Sequence, residues 1–121
     1  MRYYIGVIGL LTVFSCEHVI LGEEYARQSL AKALADTVAV QYKFDNGGPI
    51  SDKEAATKIA ESILFKIYGE QNIKNERPYE IYDIDGYWIM MGTLPKGYDG
   101  GTFEIIFEAK SRKIIKLTHY R

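Results

Sequence analysis

Two hydrophobic periods run through this chain, and the change from one to the other divides it. Between Ser51 and Gly69 the apolar residues recur at helical spacing. Ala55, Ile59, Ile63 and Ile67 form one i, i+4 row, and Ala56, Ala60, Leu64 and Tyr68 form the row beside it. Together they make a wide apolar stripe with Lys53, Lys58, Glu61 and Lys66 elsewhere, which predicts an amphipathic helix lying along a sheet. Ser51-Asp52-Lys53-Glu54 reads as a capping box that opens it, and Gly69 stands where a helix wants its C-terminal cap. An earlier segment, Glu23–Asp36, is rich in helix formers, with Tyr25, Ala26, Leu30, Ala33 and Leu34 on one broad face and acids in the first turn. It predicts a first helix. Thr37–Phe44 alternates β-branched and aromatic residues and reads as a short strand or an extended crossing, ended by Asn46-Gly47-Gly48-Pro49.

After Arg77-Pro78 the period drops to two. Tyr79–Ile84 and Tyr87–Leu94 flank Asp85-Gly86, a strong signal for a type I′ hairpin. In the second run Trp88, Met90 and Gly92 share one face and Tyr87, Ile89 and Met91 the other, so both faces are apolar. One is expected to lie under the long helix, and the other is left as a dry cavity or a partner surface. Thr102–Ala109 alternates Phe103, Ile105 and Phe107 against Glu104 and Glu108, with Ile106 the exception. Lys113–Tyr120 follows, with Ile115 and Leu117 opposed to Lys116 and Thr118. Helices followed by strands predict an α+β domain: one or two helices packed on a curved four-stranded antiparallel sheet.

The N-terminus carries a different signal. Residues 1–16 read MRYYIGVIGLLTVFSC: Arg2, the apolar run Ile5–Phe14, then Ser15-Cys16. The run is too short for a stable bilayer span and fits a signal-peptide core. Val13-Phe14-Ser15-Cys16 resembles the bacterial lipoprotein box, whose cysteine is lipidated and becomes the new N-terminus. The alternative, a buried N-terminal strand with a core cysteine, lacks any following turn residue or alternation. The expectation is therefore a lipoprotein-type signal peptide over 1–15, a lipidated Cys16, a tether over 16–22 and one domain over 23–121, anchored to the cell envelope and facing the periplasm or exterior.

Length and composition agree with one small globular domain: 121 residues, 47% apolar, 26% charged. A net charge of −1 gives no basic stripe, so nucleic acid is not expected as a partner. A single cysteine and two histidines offer no cluster for a metal, and no cofactor is expected. The acids and bases open to catalysis are Asp83, Asp85, His119 and His18. Asp85 belongs to the turn, His119 lies near the C-terminal end where fraying is expected, and His18 lies in the tether. Asp83 alternates with Tyr79 and Ile81 and could face inward. No pair of them forms a recognisable dyad. Leu94-Pro95-Lys96-Gly97-Tyr98-Asp99-Gly100-Gly101 lacks phosphate-loop spacing and opens no helix. Its glycines re-aim the chain, and Lys96, Tyr98 and Asp99 at its tip, with Tyr87, are the expected partner contacts.

The order of these features carries a resemblance. An Ala-rich helix ending Ile67-Tyr68-Gly69-Glu70 leads to Arg77-Pro78-Tyr79, then Trp88, Gly92-Thr93-Leu94-Pro95, Gly100-Gly101 and a hairpin ending Leu117-Thr118-His119. This resembles the bacterial immunity proteins of polymorphic toxin systems with the nuclear-transport-factor-2-like (cystatin-like) fold, over about Ser51 to Arg121. Met90-Met91 and Arg121 depart from that pattern. The resemblance implies a non-catalytic protein that binds and neutralises a cognate toxin. It also implies a concave sheet face, which leaves a small-ligand-binding or enzymatic domain as the alternative. A filled interior with an exposed Tyr/acid patch would favour toxin binding.

Overall fold

A computed structural model describes residues 17–36 and 42–121. The segment expected as a signal peptide, Cys16 and most of the Thr37–Phe44 segment lie outside the described residues.

Among the described residues three helices and five strands follow in the order α1 (Glu23–Ala35), β1 (Tyr42–Lys43), α2 (Lys53–Tyr68), α3 (Glu70–Lys74), β2 (Glu80–Ile84), β3 (Tyr87–Met91), β4 (Phe103–Glu108) and β5 (Lys113–His119). The strands form one antiparallel sheet in the order β1-β5-β4-β3-β2. The α+β architecture is as expected, with five strands instead of four. The fifth is the two-residue β1, where Tyr42 pairs with Ile114 and Lys43 with Lys113.

Both faces of this sheet are covered. On one, α2 and α3 lay Ala56, Ala60, Leu64 and Ile73 against Trp88, Met90, Phe103, Ile105, Phe107 and Ile114. The Trp88 indole N–H donates to the Ile50 carbonyl (3.0 Å), which satisfies the one polar atom of that ring. On the other face, α1 sets Ala26, Leu30 and Ala33 against Ile84, Ile89, Met91, Ile106 and Ile115. Strands covered on both faces need near-continuous apolar runs, and Trp88-Ile89-Met90-Met91 is one. The alternation within β3 and β4 therefore holds, and Ile106 is an exception only in facing α1.

Several local expectations shift. Asp52 caps α2, its Oδ1 accepting from the Ala55 amide at 2.8 Å, so the cap lies one residue beyond Ser51. Gly69 does end α2, with φ +94, and α3 begins directly after it. Ile67 is half exposed, because the buried stripe is centred on the Ala56, Ala60, Leu64 row. Tyr25 and Leu34 likewise leave the core face of α1 to Ala26, Ser29, Leu30 and Ala33. A bulge separates Ile115 from Leu117: Ile106 pairs with Lys116 while Phe107 pairs with Ile114, leaving Ile115 as the extra residue. Ile115 then joins the α1 layer and Leu117 packs on the α2 layer. The Asp85-Gly86 turn is as expected for type I′, with φ +51 and +85.

Candidate functional site

The sheet has two ends, and the chemistry divides between them. At the C-terminal end of β3 lies the loop over residues 92–102. Its bend at Pro95–Tyr98 closes through the Tyr98 amide donating to the Pro95 carbonyl (3.2 Å), with Gly97 at φ +88 in the position that needs it. A Cβ on Gly101 would collide with the backbone carbonyl of Tyr120, so the absence of a side chain there lets the C-terminal segment close over the loop. Tyr120 seals the closure, its amide donating to the Thr102 carbonyl (3.0 Å).

The segment expected as a tether is docked on this loop. Glu17 accepts from the Lys96 amide (2.8 Å), the Val19 amide donates to the Leu94 carbonyl (3.0 Å), and His18 bridges to Pro95. The single Thr93 hydroxyl proton goes to the Pro78 carbonyl (2.7 Å), so the same oxygen accepts from His18 Nδ1 (2.9 Å). That assigns the proton on His18 to Nδ1. Leu21 and Gly22 donate their amides to the Glu80 carboxylate (2.8 and 2.9 Å) immediately before α1 begins. This strap leaves Val19, Ile20 and Leu21 about half exposed, with Val19 and Leu21 next to Tyr98, which at 69% exposed is the most open large apolar side chain among the described residues. Val19, Leu21, Leu94 and Tyr98 border a cleft of about 210 Å³. Lys96 pairs with Glu17 at 3.1 Å, and Asp99 is exposed.

Next to that cleft, across Leu94 and Gly101, is a groove of about 500 Å³ that contains Tyr68, Asn72, Glu76, His119 and Arg121. His119, expected to fray, is held in β5: Nε2 lies 2.7 Å from Glu76 Oε2 and Nδ1 lies 2.9 Å from the Tyr120 carbonyl. A carbonyl only accepts, so Nδ1 donates to Tyr120, and the Glu76 carboxylate is the partner of Nε2. The other Glu76 oxygen accepts from the Phe103 amide (2.8 Å). Burial, and then the Glu76 charge, push the Tyr68 phenol above its usual pKa.

At the opposite end of β3 stands Tyr87, of the four expected contacts the one not in the loop. A five-residue strand separates it from the loop, roughly 14 Å at 3.4 Å per residue. Tyr87 and Tyr82 both pack at the margin of the α1 layer. Tyr87 lies opposite Glu108, and burial followed by that charge pushes its pKa up. Tyr82 is raised to about 12 by burial, then by its hydrogen bond to Glu80 and the charges of Glu80 and Glu23. Asp83 is exposed, contrary to the inward position open to it from the alternation, and so is Asp85. Neither has a partner among the described residues.

Three buried glutamates went unrecognised in the sequence. Glu76 ties α3 to β4 and β5. Glu80 ties the strap to β2 and also accepts from the Tyr82 hydroxyl (2.8 Å). Glu104, 1% exposed, lies under α1, where it meets the Ser29 hydroxyl, the Tyr120 hydroxyl (3.0 Å) and the Lys116 ammonium (2.9 Å). The signal for Glu104 was its place on the same face as Ile106. All three carboxylates are committed to internal donors, and the face on which a ligand cavity was expected is occupied by α1. Among the described residues no group of His, Cys, Asp and Glu is arranged to hold a metal ion.

A family described as NTF2 fold immunity protein matches residues 55–121, more than half of the chain. No curated protein and no solved structure matches the chain.

Proposed function

The chain belongs to the NTF2-fold immunity protein family, a family whose role implies a cognate toxin, and from that premise we propose that it neutralises its toxin by steric occlusion while anchored outside the cytoplasm through an acylated Cys16. The observation that supports binding over catalysis is the filled interior. Both sheet faces are covered by helices, and the buried carboxylates already accept from the chain's own donors. Asp83, the acid that an enzymatic or ligand-binding reading needed to face inward, points to solvent.

The toxin footprint we assign is the free edge and tip of the β2–β3 hairpin, with Tyr87 and Tyr82 on its α1 face, Asp83 on its α2 face and Asp85 in the turn. Half-buried tyrosines held by a rigid hairpin lose little entropy on binding, and the unpaired acids add complementarity to a basic surface. Lys96, Tyr98 and Asp99 belong to the other end, whose occupant is argued below. Coexpression of this chain with the product of the adjacent gene is the direct test: survival of cells that the neighbour alone would kill supports immunity, and no rescue of a toxic neighbour counts against it. Asp83→Arg, on an exposed side chain without partners, is expected to weaken the toxin complex about tenfold, or about 1.4 kcal/mol. Titration calorimetry with unchanged affinity removes the hairpin from the footprint.

A further inference from the structure

We propose that the strap over residues 17–21 and the Tyr98 loop rest on the lipid surface that carries the Cys16 anchor, which fixes one orientation of the domain with the Tyr87 hairpin turned to water. The proposal rests on the anchoring reading given above.

The first argument is length. Cys16 is followed directly by Glu17, and consecutive Cα atoms lie about 3.8 Å apart. Glu17 is already docked, its carbonyl accepting from the Lys96 amide at 2.8 Å. A lipid attached to residue 16 therefore starts one residue from the loop, with no slack for the domain to swing on. The strap then stays fixed through Val19, Leu21 and Gly22, by hydrogen bonds to Leu94 and Glu80.

The second argument is the surface itself. Val19, Ile20 and Leu21 are 47%, 58% and 46% exposed, and Tyr98 is 69% exposed. Three consecutive aliphatic side chains kept in water by a strap that is neither helix nor strand make sense against an apolar phase. Tyr, with an apolar ring and a polar tip, suits the boundary between headgroups and acyl chains. The third argument is charge. Lys96 and Glu17 pair with each other, and Asp99 and Arg121 add one charge of each sign. A face with so little net charge is held by apolar contact, so neutral lipid suffices and salt has little effect.

The test uses the full-length acylated protein in vesicles of neutral phosphatidylcholine brominated high on the acyl chains. Tyr98→Trp places a reporter in the loop, and Lys58→Trp places one on the exposed side of α2. Trp88, buried beneath α2, provides the same background in both. Brominated lipid is expected to quench the Tyr98→Trp signal at least twofold more than the Lys58→Trp signal, at low and at high salt. Adding Ile20→Asp should remove most of that difference while the anchor keeps the protein on the vesicle. Intact mass separates the two readings. An acylated chain with no excess quenching at position 98 overturns the orientation and leaves the anchor standing; an unacylated chain removes the anchor and the orientation with it. A Tyr98→Asp protein that stays acylated but loses affinity for the toxin in solution assigns the loop to the toxin and overturns the proposal.

Discussion

Replacing Glu80 by glutamine should undock the strap before it unfolds the domain. Glu80 is 6% exposed, and its two oxygens receive three donors: the amides of Leu21 and Gly22 and the Tyr82 hydroxyl. Glutamine keeps one acceptor oxygen and turns an NH₂ toward at least one of these donors. Hydrogen bonds to a charged acceptor contribute about 1.5–3 kcal/mol each and neutral ones about 0.5–1.5, while a buried donor left without a partner costs about 1–3 kcal/mol. Two weakened bonds and one orphaned amide thus amount to about 3 kcal/mol. The charge at the start of α1, next to the positive end of the helix dipole, is lost as well. The strap can escape part of this penalty by fraying into water, so the loss should concentrate there. Amide hydrogen exchange is expected to accelerate strongly at Leu21 and Gly22 and to change little at Leu64 and Ile105. Urea unfolding should report a stability loss of about 2–3 kcal/mol. Asp83→Asn, exposed on the same strand, is the control and should stay within about 0.5 kcal/mol of wild type. Unchanged protection at Leu21 and Gly22, together with control-level stability, would refute the role given to Glu80.

Other consequences follow from the same geometry. Tyr79 and Tyr82 are both raised to about 12, by burial first and then by hydrogen bonds to Glu61 and Glu80. Their raised folded-state values mean that the stability they contribute is fully present below pH 10, the unfolded value, and is lost as pH rises towards 12; a urea midpoint that stays flat over that window would contradict it. Leu64→Ala, at a fully buried site of α2, should lower stability by about 2–5 kcal/mol in urea, and a loss below about 1 kcal/mol would mean that the α2 layer is not the core. Gly101→Ala drives a methyl into the Tyr120 carbonyl. It should cost about 1–3 kcal/mol and speed exchange of the Tyr120 amide, and an unaltered amide would show that the C-terminal segment does not depend on that close approach.

What the sequence made legible was whatever period and turn chemistry encode locally. The α2 stripe, the Asp85-Gly86 turn and the two-sided β3 are all statements about neighbours along the chain, and all hold. Position 52 took the cap from position 51 because both residues can cap and only the backbone decides which is extended. The bulge at Ile115 was invisible, since one inserted residue breaks alternation in a way that mimics noise. The strap was invisible for a different reason. Glu17–Gly22 has no periodicity, and it is held by amides and carbonyls, which every sequence possesses, and by Glu80, far away in the chain. Of the four expected contact residues, Lys96, Tyr98 and Asp99 belong to a loop and Tyr87 to a strand, and β3 sets the two at opposite ends.

That separation changes what an immunity protein of this shape can do. A binder on a long tether meets its toxin with any face; under the anchoring proposed above, a strap docked to within one residue of Cys16 offers a toxin in water only the faces turned away from lipid. The buried glutamates make that restriction rigid. Glu80 fixes the strap to β2, Glu76 fixes β5 to the end of α3 through His119, and Glu104 fixes α1 to β5 through Lys116. Each acts at the loop end or beneath α1, which ties the strap, the C-terminal strand and α1 to the one sheet. Under the proposed occlusion, affinity is set by the hairpin surface and reach by the membrane. Freeing the strap with Glu80→Gln should therefore leave the affinity for toxin in solution unchanged, while altering protection in cells where the anchored orientation governs access. Equal losses in both assays would place the toxin on the strap end instead.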